Sequence, residues 1–353
     1  MSKFKYIISF VLFASVFVAA VHVEAGNPKR RGTSGAQELL IPVGSRGTAM
    51  GGAVVSSTSG IDAIFWNPAG LAGIDAGAQL MASNLKYIAD INVNYAAVAG
   101  NFRGVGWFGF SIKTLDFGEI PVTTEDNPDG TGATFSPTFL TLGVTYSRAM
   151  TDRILFGATV KVISEEITRE RATGVAFDFG LQYSTGPGGI RLGVALKNLG
   201  GNMRFDGPDL EEKVNIPGQR VGSQVRNLRV PLNPFELPTT LELGISYEWK
   251  VNETNSLTFS GTFLNDNFGL DLYSGGVEYN LNNMVFLRGG FAAAYDVENA
   301  TFQTQSEEFL FGPSFGAGVQ YEIASGIKLG IDYAYRTTQF FNNNQWLTLT
   351  VTF

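Results

Sequence analysis

From about residue 78 to Phe353 the chain alternates apolar and polar side chains in short runs, and each run ends at turn-forming residues. Successive side chains of a strand point to opposite faces, so alternation of period two predicts strands with one greasy and one polar face. Residues 175–184 are the clearest case. Val175, Phe177, Phe179, Leu181 and Tyr183 share one face, and Ala176, Asp178, Gly180, Gln182 and Ser184 the other. Residues 239–250 and 326–336 repeat the pattern. Fourteen such strands are expected. Tight turns are expected at 101–103, 149–152, 185–188, 251–255, 281–283 and 323–325, alternating with mostly longer loops at 87–90, 115–137, 165–172, 200–238, 266–270, 295–311 and 336–344. This rhythm predicts an all-β, antiparallel up-and-down transmembrane barrel of fourteen strands, with turns facing the periplasm and loops facing outside. Lipid permits no open sheet edge, so such strands must close.

In a membrane barrel the apolar face looks out at acyl chains and the polar face lines the lumen. That places Lys161, Asp178, Arg191, Glu242, Glu278, Arg288, Lys328 and Asp332 in the lumen, together with Lys197. Slipping any one of these strands by a residue would turn its charge to lipid, at about 2–4 kcal/mol for Arg or Lys near mid-bilayer. Tyr146, Tyr183, Tyr247, Trp249, Tyr279 and Tyr321 fall at the turn ends of their strands with apolar parity, the expected aromatic girdle. The 104–114 strand is apolar on both faces, Trp107 opposing Phe108 and Phe110, and is expected to meet a plug or a ligand. The final strand ends in Phe353. A C-terminal aromatic there resembles the signal that outer-membrane barrels present to their assembly machinery.

Residues 1–25 read as a secretory signal peptide: Lys3 and Lys5, an apolar run from Tyr6 to Ala20, and a small-residue cleavage site at Val23-Glu24-Ala25. Its removal leaves 23 basic against 31 acidic side chains, an acidic balance that argues against nucleic acid. Cysteine is absent and the sole histidine, His22, lies in the leader. No imidazole or thiolate is therefore left for a Ser-His-Asp triad, a zinc site or a cysteine nucleophile. No enzyme and no cofactor is expected. Asp126-Asn127-Pro128-Asp129-Gly130 offers oxygen ligands without the spacing of an EF-hand, and reads as a turn.

Residues 26–77 do not alternate and are expected to form a periplasmic tail followed by a plug in the lumen of the 78–353 barrel. Gly44, Arg46, Gly51, Gly52 and Ala53 belong to a stretch of small residues suited to close packing. Asn67, Pro68 and Ala69 place a cap and a proline at the start of a helical turn. These two stretches resemble the N-terminal region of the FadL-like transporters and of the PorV/PorQ proteins. Phe65-Trp66-Asn67-Pro68-Ala69-Gly70-Leu71, Asp116-Phe117-Gly118-Glu119-Ile120, Val175 to Gly180, Leu196 to Gly200, Leu237-Pro238 and Arg288-Gly289-Gly290-Phe291 extend the PorV/PorQ resemblance over most of the chain.

The resemblance implies an outer-membrane protein of a Gram-negative bacterium, first as a type IX secretion component that binds cargo C-terminal domains and works with secretion-system proteins. Loops 115–137, 200–238 and 295–311 would then form the docking surface, the first and last of them acidic. The FadL-like alternative is passage of long-chain fatty acids or other hydrophobic molecules through the lumen. Phe108, Phe110, Phe135, Phe139, Phe235 and Leu237 would then line an apolar mouth or pack the hatch.

Overall fold

The computed structural model describes residues 30–186, 188–214, 226–296, 301–307, 309–324 and 326–353. The expected leader and parts of loops 200–238 and 295–311 lie outside the described residues. The barrel strands are β1 (Ala78–Lys86), β2 (Asn92–Phe102), β3 (Gly106–Asp116), β4 (Thr138–Ala149), β5 (Ile154–Ile167), β6 (Glu170–Ser184) and β7 (Ile190–Gly200). After a long loop come β8 (Thr240–Lys250), β9 (Ser256–Asp266), β10 (Asp271–Leu281), β11 (Val285–Asp296), β12 (Phe311–Ala324), β13 (Ile327–Thr338) and β14 (Asn344–Thr352). Each pairs antiparallel with its chain neighbours, and β14 returns to β1, with Leu85 opposite Trp346 and Leu80 opposite Val351. The sheet is a closed fourteen-stranded antiparallel barrel.

The faces follow the alternation. Phe177 and Leu243 are 42% and 44% exposed, whereas Asp178 and Glu242 are 0% and 4% exposed. Only lipid makes such an inside-out arrangement favourable. The turns fall near their expected places, although β2 runs on to Phe102 and moves the first to 103–105. One expected longer loop is a hairpin instead: β5 and β6 are joined by Thr168 and Arg169 alone. The two strands stay paired to Ile167 opposite Glu170, and an ion pair between Arg171 and Glu166 at 2.7 Å fastens the tip. The polar residues there are a ladder extended past the membrane, which composition alone cannot tell from a loop.

Candidate functional site

Residues 36–73 lie against the lumen face of the wall. They contain two short helices, α1 (Ser45–Ala49) and α2 (Ala63–Trp66), and a 3₁₀ segment at Pro68–Gly73. The capping expected of the Asn-Pro pair is present, since Asn67 accepts the Ala69 N–H at 3.2 Å. The same side chain is fully buried, and its Nδ2 donates to the carbonyls of Val55 at 2.8 Å, Leu181 at 3.3 Å and Val194 at 3.4 Å. Asn67 thus ties the hatch to β6 and β7. Gly180 makes the approach possible: a methyl on it would sit 2.0 Å from Asn67 Oδ1.

The small-residue stretch is held on the opposite side. Arg46 presents its Nε and Nη2 to both oxygens of Glu278 at 3.0 and 2.9 Å, the bidentate fork that a carboxylate accepts best. Glu278 also accepts from Arg288 Nε at 2.6 Å, and Arg288 reaches Asp332. This chain of two cations and two anions crosses β10, β11 and β13. Glu278 raises the Arg46 guanidinium pKa above its ordinary value, and burial raises that of the Asp62 carboxyl beside it. Gly51 and Gly52 take φ of +65° and +84°, a left-handed backbone that suits glycine, and Ala53 is fully buried.

Two further ion pairs stand on the lumen wall. Lys161 meets Asp178 at 2.6 Å and donates to Asn198 Oδ1 at 2.8 Å, while the Asn198 N–H donates to Asp178 at 2.8 Å. Asn198 is in the left-handed region at φ +59°, where β6 and β7 shift register. Lys197 meets Glu242 at 3.1 Å and lies 4.4 Å from the Phe65 ring centre. Two charges of lumen parity are not deep. Arg191 is half-buried near a turn, paired with Glu248 at 2.8 Å, and Lys328 is exposed. Phe353 is exposed at the barrel's turn end, where its carbonyl accepts the Gly77 N–H at 2.7 Å.

Trp107 packs inward with Ile64 and Leu71 of the hatch, so the bifacial 104–114 strand meets hatch within and lipid without. Phe108 and Phe110 are 40% and 45% exposed on the outer face, which corrects their assignment to an apolar mouth; their parity is opposite to that of Trp107. Phe135 sits in a short extra-barrel ladder with Ile120, and Leu237 is buried beside Leu39 and Met203.

Between hatch and loops lies a cavity of about 860 Å³, lined by Leu39 to Pro42, Phe65 and Trp66 from the hatch, and by Phe117, Phe205, Phe235 and Phe309 from the loops. The wall contributes Leu115, Phe139, Leu264 and Leu272, all of lumen parity and all at loop ends of their strands. At these four positions the polar-inside rule gives way to an apolar lining. Residues not singled out from the sequence also meet here. Lys113 Nζ donates to the carbonyls of Glu38 and Ile41, both at 2.6 Å, and Glu38 and Glu165 line the cavity. Burial, first of its causes, raises the Glu38 pKa. Lys113 shares the parity of Trp107, the signal that would have placed it inward.

A closed barrel with a greasy belt and a charged interior is a Gram-negative outer-membrane protein. No family model matches the chain, and no curated protein matches it either. Solved structures do. The CymD monoaromatic hydrocarbon channel has a TM-score of 0.52 at 13% identity, over 89% of this chain and 97% of that one. The Pseudomonas putida toluene transporter TodX gives 0.52 at 15% over 87% and 96%. The Ralstonia pickettii toluene transporter TbuX gives 0.51 at 16% over 88% and 97%. At these identities the likeness shows the fold alone, a fourteen-stranded barrel like those of these channels.

Proposed function

We propose that this protein passes hydrophobic small molecules across the outer membrane, without catalysis, through the cavity above the hatch. The observation that carries the reading is the lining of Leu115, Phe139, Leu264 and Leu272, apolar residues of lumen parity that face a cavity. A concave apolar site with few polar groups is the usual receptor for a small apolar molecule. The likeness to toluene and monoaromatic hydrocarbon channels supports the same reading. It takes the place of the cargo-docking role expected first, since the comparisons reach hydrocarbon channels.

Trp66 lines the cavity and reports on it directly. A neutral naphthalene added to the purified full-length barrel should quench tryptophan fluorescence saturably, and Trp66→Phe should remove most of that signal. Proteoliposomes carrying the barrel should take up the same compound faster than empty ones. Quenching that never saturates, together with unchanged uptake, would sink the proposal.

A further inference from the structure

Among the described residues, five buried side-chain nitrogen and oxygen atoms without a hydrogen-bond partner lie in one row. They are Ser314 Oγ, Arg336 Nε and Nη2, and Asn344 Oδ1 and Nδ2. Ser314 and Asn344 are the register partners of Arg336 on either side, on β12 and β14, so the three side chains stand together on the lumen face. Ser314 is 1% exposed and Asn344 0%. Ser314 and Arg336 line the cavity. Buried polar groups are almost always satisfied, so five orphans in one row point to something they receive.

The donor set says what. The other deep lumen cations each have an anion or a carbonyl: Arg46 and Arg288 share Glu278, Lys161 has Asp178, Lys197 has Glu242, and Lys113 has two backbone oxygens. Arg336 has none among the described residues. Its free Nε and Nη2 form the same edge that Arg46 closes on the Glu278 carboxylate, and a hydroxyl and an amide flank it. The surroundings are aromatic. The Arg336 Cζ lies 3.7 Å from the Phe311 ring centre and 5.1 Å from that of Trp346, and the cavity continues past Tyr87, Phe117 and Phe139. Glu165 of β5, six strands round the barrel from β13, and Glu38 of the hatch line the cavity elsewhere, so an anion is favoured at the Arg336 side.

We propose that the Ser314–Arg336–Asn344 row receives the carboxylate of an aromatic acid whose ring occupies the cavity. The inference rests on the hydrophobic-passage reading and narrows its substrate class. The five atoms are closed to water, so admission requires side chains around them to move.

The test compares naphthalene-2-carboxylate with neutral 2-methylnaphthalene at pH 7, by quenching of tryptophan fluorescence in the full-length barrel. The wild type should bind the acid tenfold or more tightly than the neutral compound, about the worth of one charge-assisted pair. Arg336→Met should erase that preference, bringing the ratio of the two affinities to about one, and Arg336→Lys should retain part of it. Ser314→Ala, a milder change, should reduce it about threefold, the order of one neutral hydrogen bond. Equal affinities in the wild type, or a preference surviving undiminished in Arg336→Met, would overturn the proposal alone. Tighter binding of a straight-chain acid of equal carbon number would overturn its aromatic part. Saturable binding of neither naphthalene would overturn the passage reading with it.

Discussion

Replacing Gly290 by alanine tests how the hatch is seated. Gly290 faces inward from β11, and a methyl there would fall 2.0 Å from the Met50 carbonyl carbon, 2.3 Å from Gly51 N and 2.5 Å from Met50 Cα. All three are backbone atoms, so no flexible side chain can yield. Moving from 2.0 Å to an ordinary 3.4 Å contact displaces the Met50–Gly51 backbone by about 1.4 Å in a close-packed interior. Overpacking of this kind costs about 1–3 kcal/mol, which corresponds to about a 5- to 150-fold rise in local opening. Gly289 is the internal control: its methyl would point outward, with Phe315 Cδ1 at 4.0 Å and nothing nearer. Both replacements restrict the unfolded chain alike, so their difference isolates the seat. Hydrogen exchange of the Gly51, Gly52 and Thr58 amides, which donate to Thr48, Gly47 and Val54, should accelerate in Gly290→Ala and not in Gly289→Ala. Equal exchange in the two variants would refute contact seating.

Burial raises the Glu38 carboxyl pKa, against the lowering effects of Glu165, its own backbone N–H and Lys113. An acid raised on folding adds stability that is complete below its unfolded pKa and fades as pH climbs through the folded one, by about 1.4 kcal/mol for each pH unit separating the two. Protection of residues 36–41, with the base-catalysed intrinsic rate divided out, should therefore be lower at pH 8 than at pH 5, and Glu38→Gln should flatten that difference; higher protection at pH 8 would contradict the assignment. Asp178→Ala leaves Lys161 buried beside Asn198 without its anion and should lower stability by about 3–5 kcal/mol, read as an earlier loss of the compact electrophoretic band on heating. Replacing Lys161 by Met in the same chain should restore much of it. Trp107→Ala empties the wall side of the cluster with Ile64 and Leu71 and should cost about 3–5 kcal/mol by the same assay.

Much of the barrel was legible because one rule, alternation, governs every strand. It placed Asp178, Glu242, Glu278 and Arg288 inside and Phe177 and Leu243 outside without any knowledge of neighbours. It also tells Trp107 from Phe108 and Phe110, once strand parity outweighs the temptation to group aromatics. Parity gives a face; it does not give a partner across the lumen. Arg46 and Glu278 are 232 residues apart, and nothing local in either segment names the other. The glycines against which the hatch rests are equally silent, because a glycine serving a turn and one serving a contact look alike in sequence. The long polar stretch around 168 misled for a related reason: an exposed ladder and a loop share one composition.

The inside-out arrangement dictates how a hatch can be held. Lipid claims the apolar face of each strand, which leaves hydroxyls, amides and charges facing inward, and any segment filling the lumen must complement those. A greasy hatch would strand buried polar groups at about 1–3 kcal/mol each. Hence the hatch carries small residues where backbone meets wall, a guanidinium where the wall offers Glu278, and an amide where it offers the carbonyls of Leu181 and Val194. Apolar hatch contact is concentrated at β1–β3, where the wall itself supplies Met81, Tyr95, Ala97 and Trp107. By the same logic, Leu115, Phe139, Leu264 and Leu272 break the inward-polar pattern above the hatch, where a wet lumen would favour polar side chains. Burying apolar surface is worth about 25 cal/mol per Å², so any apolar group placed against these four residues gains there what water cannot give it.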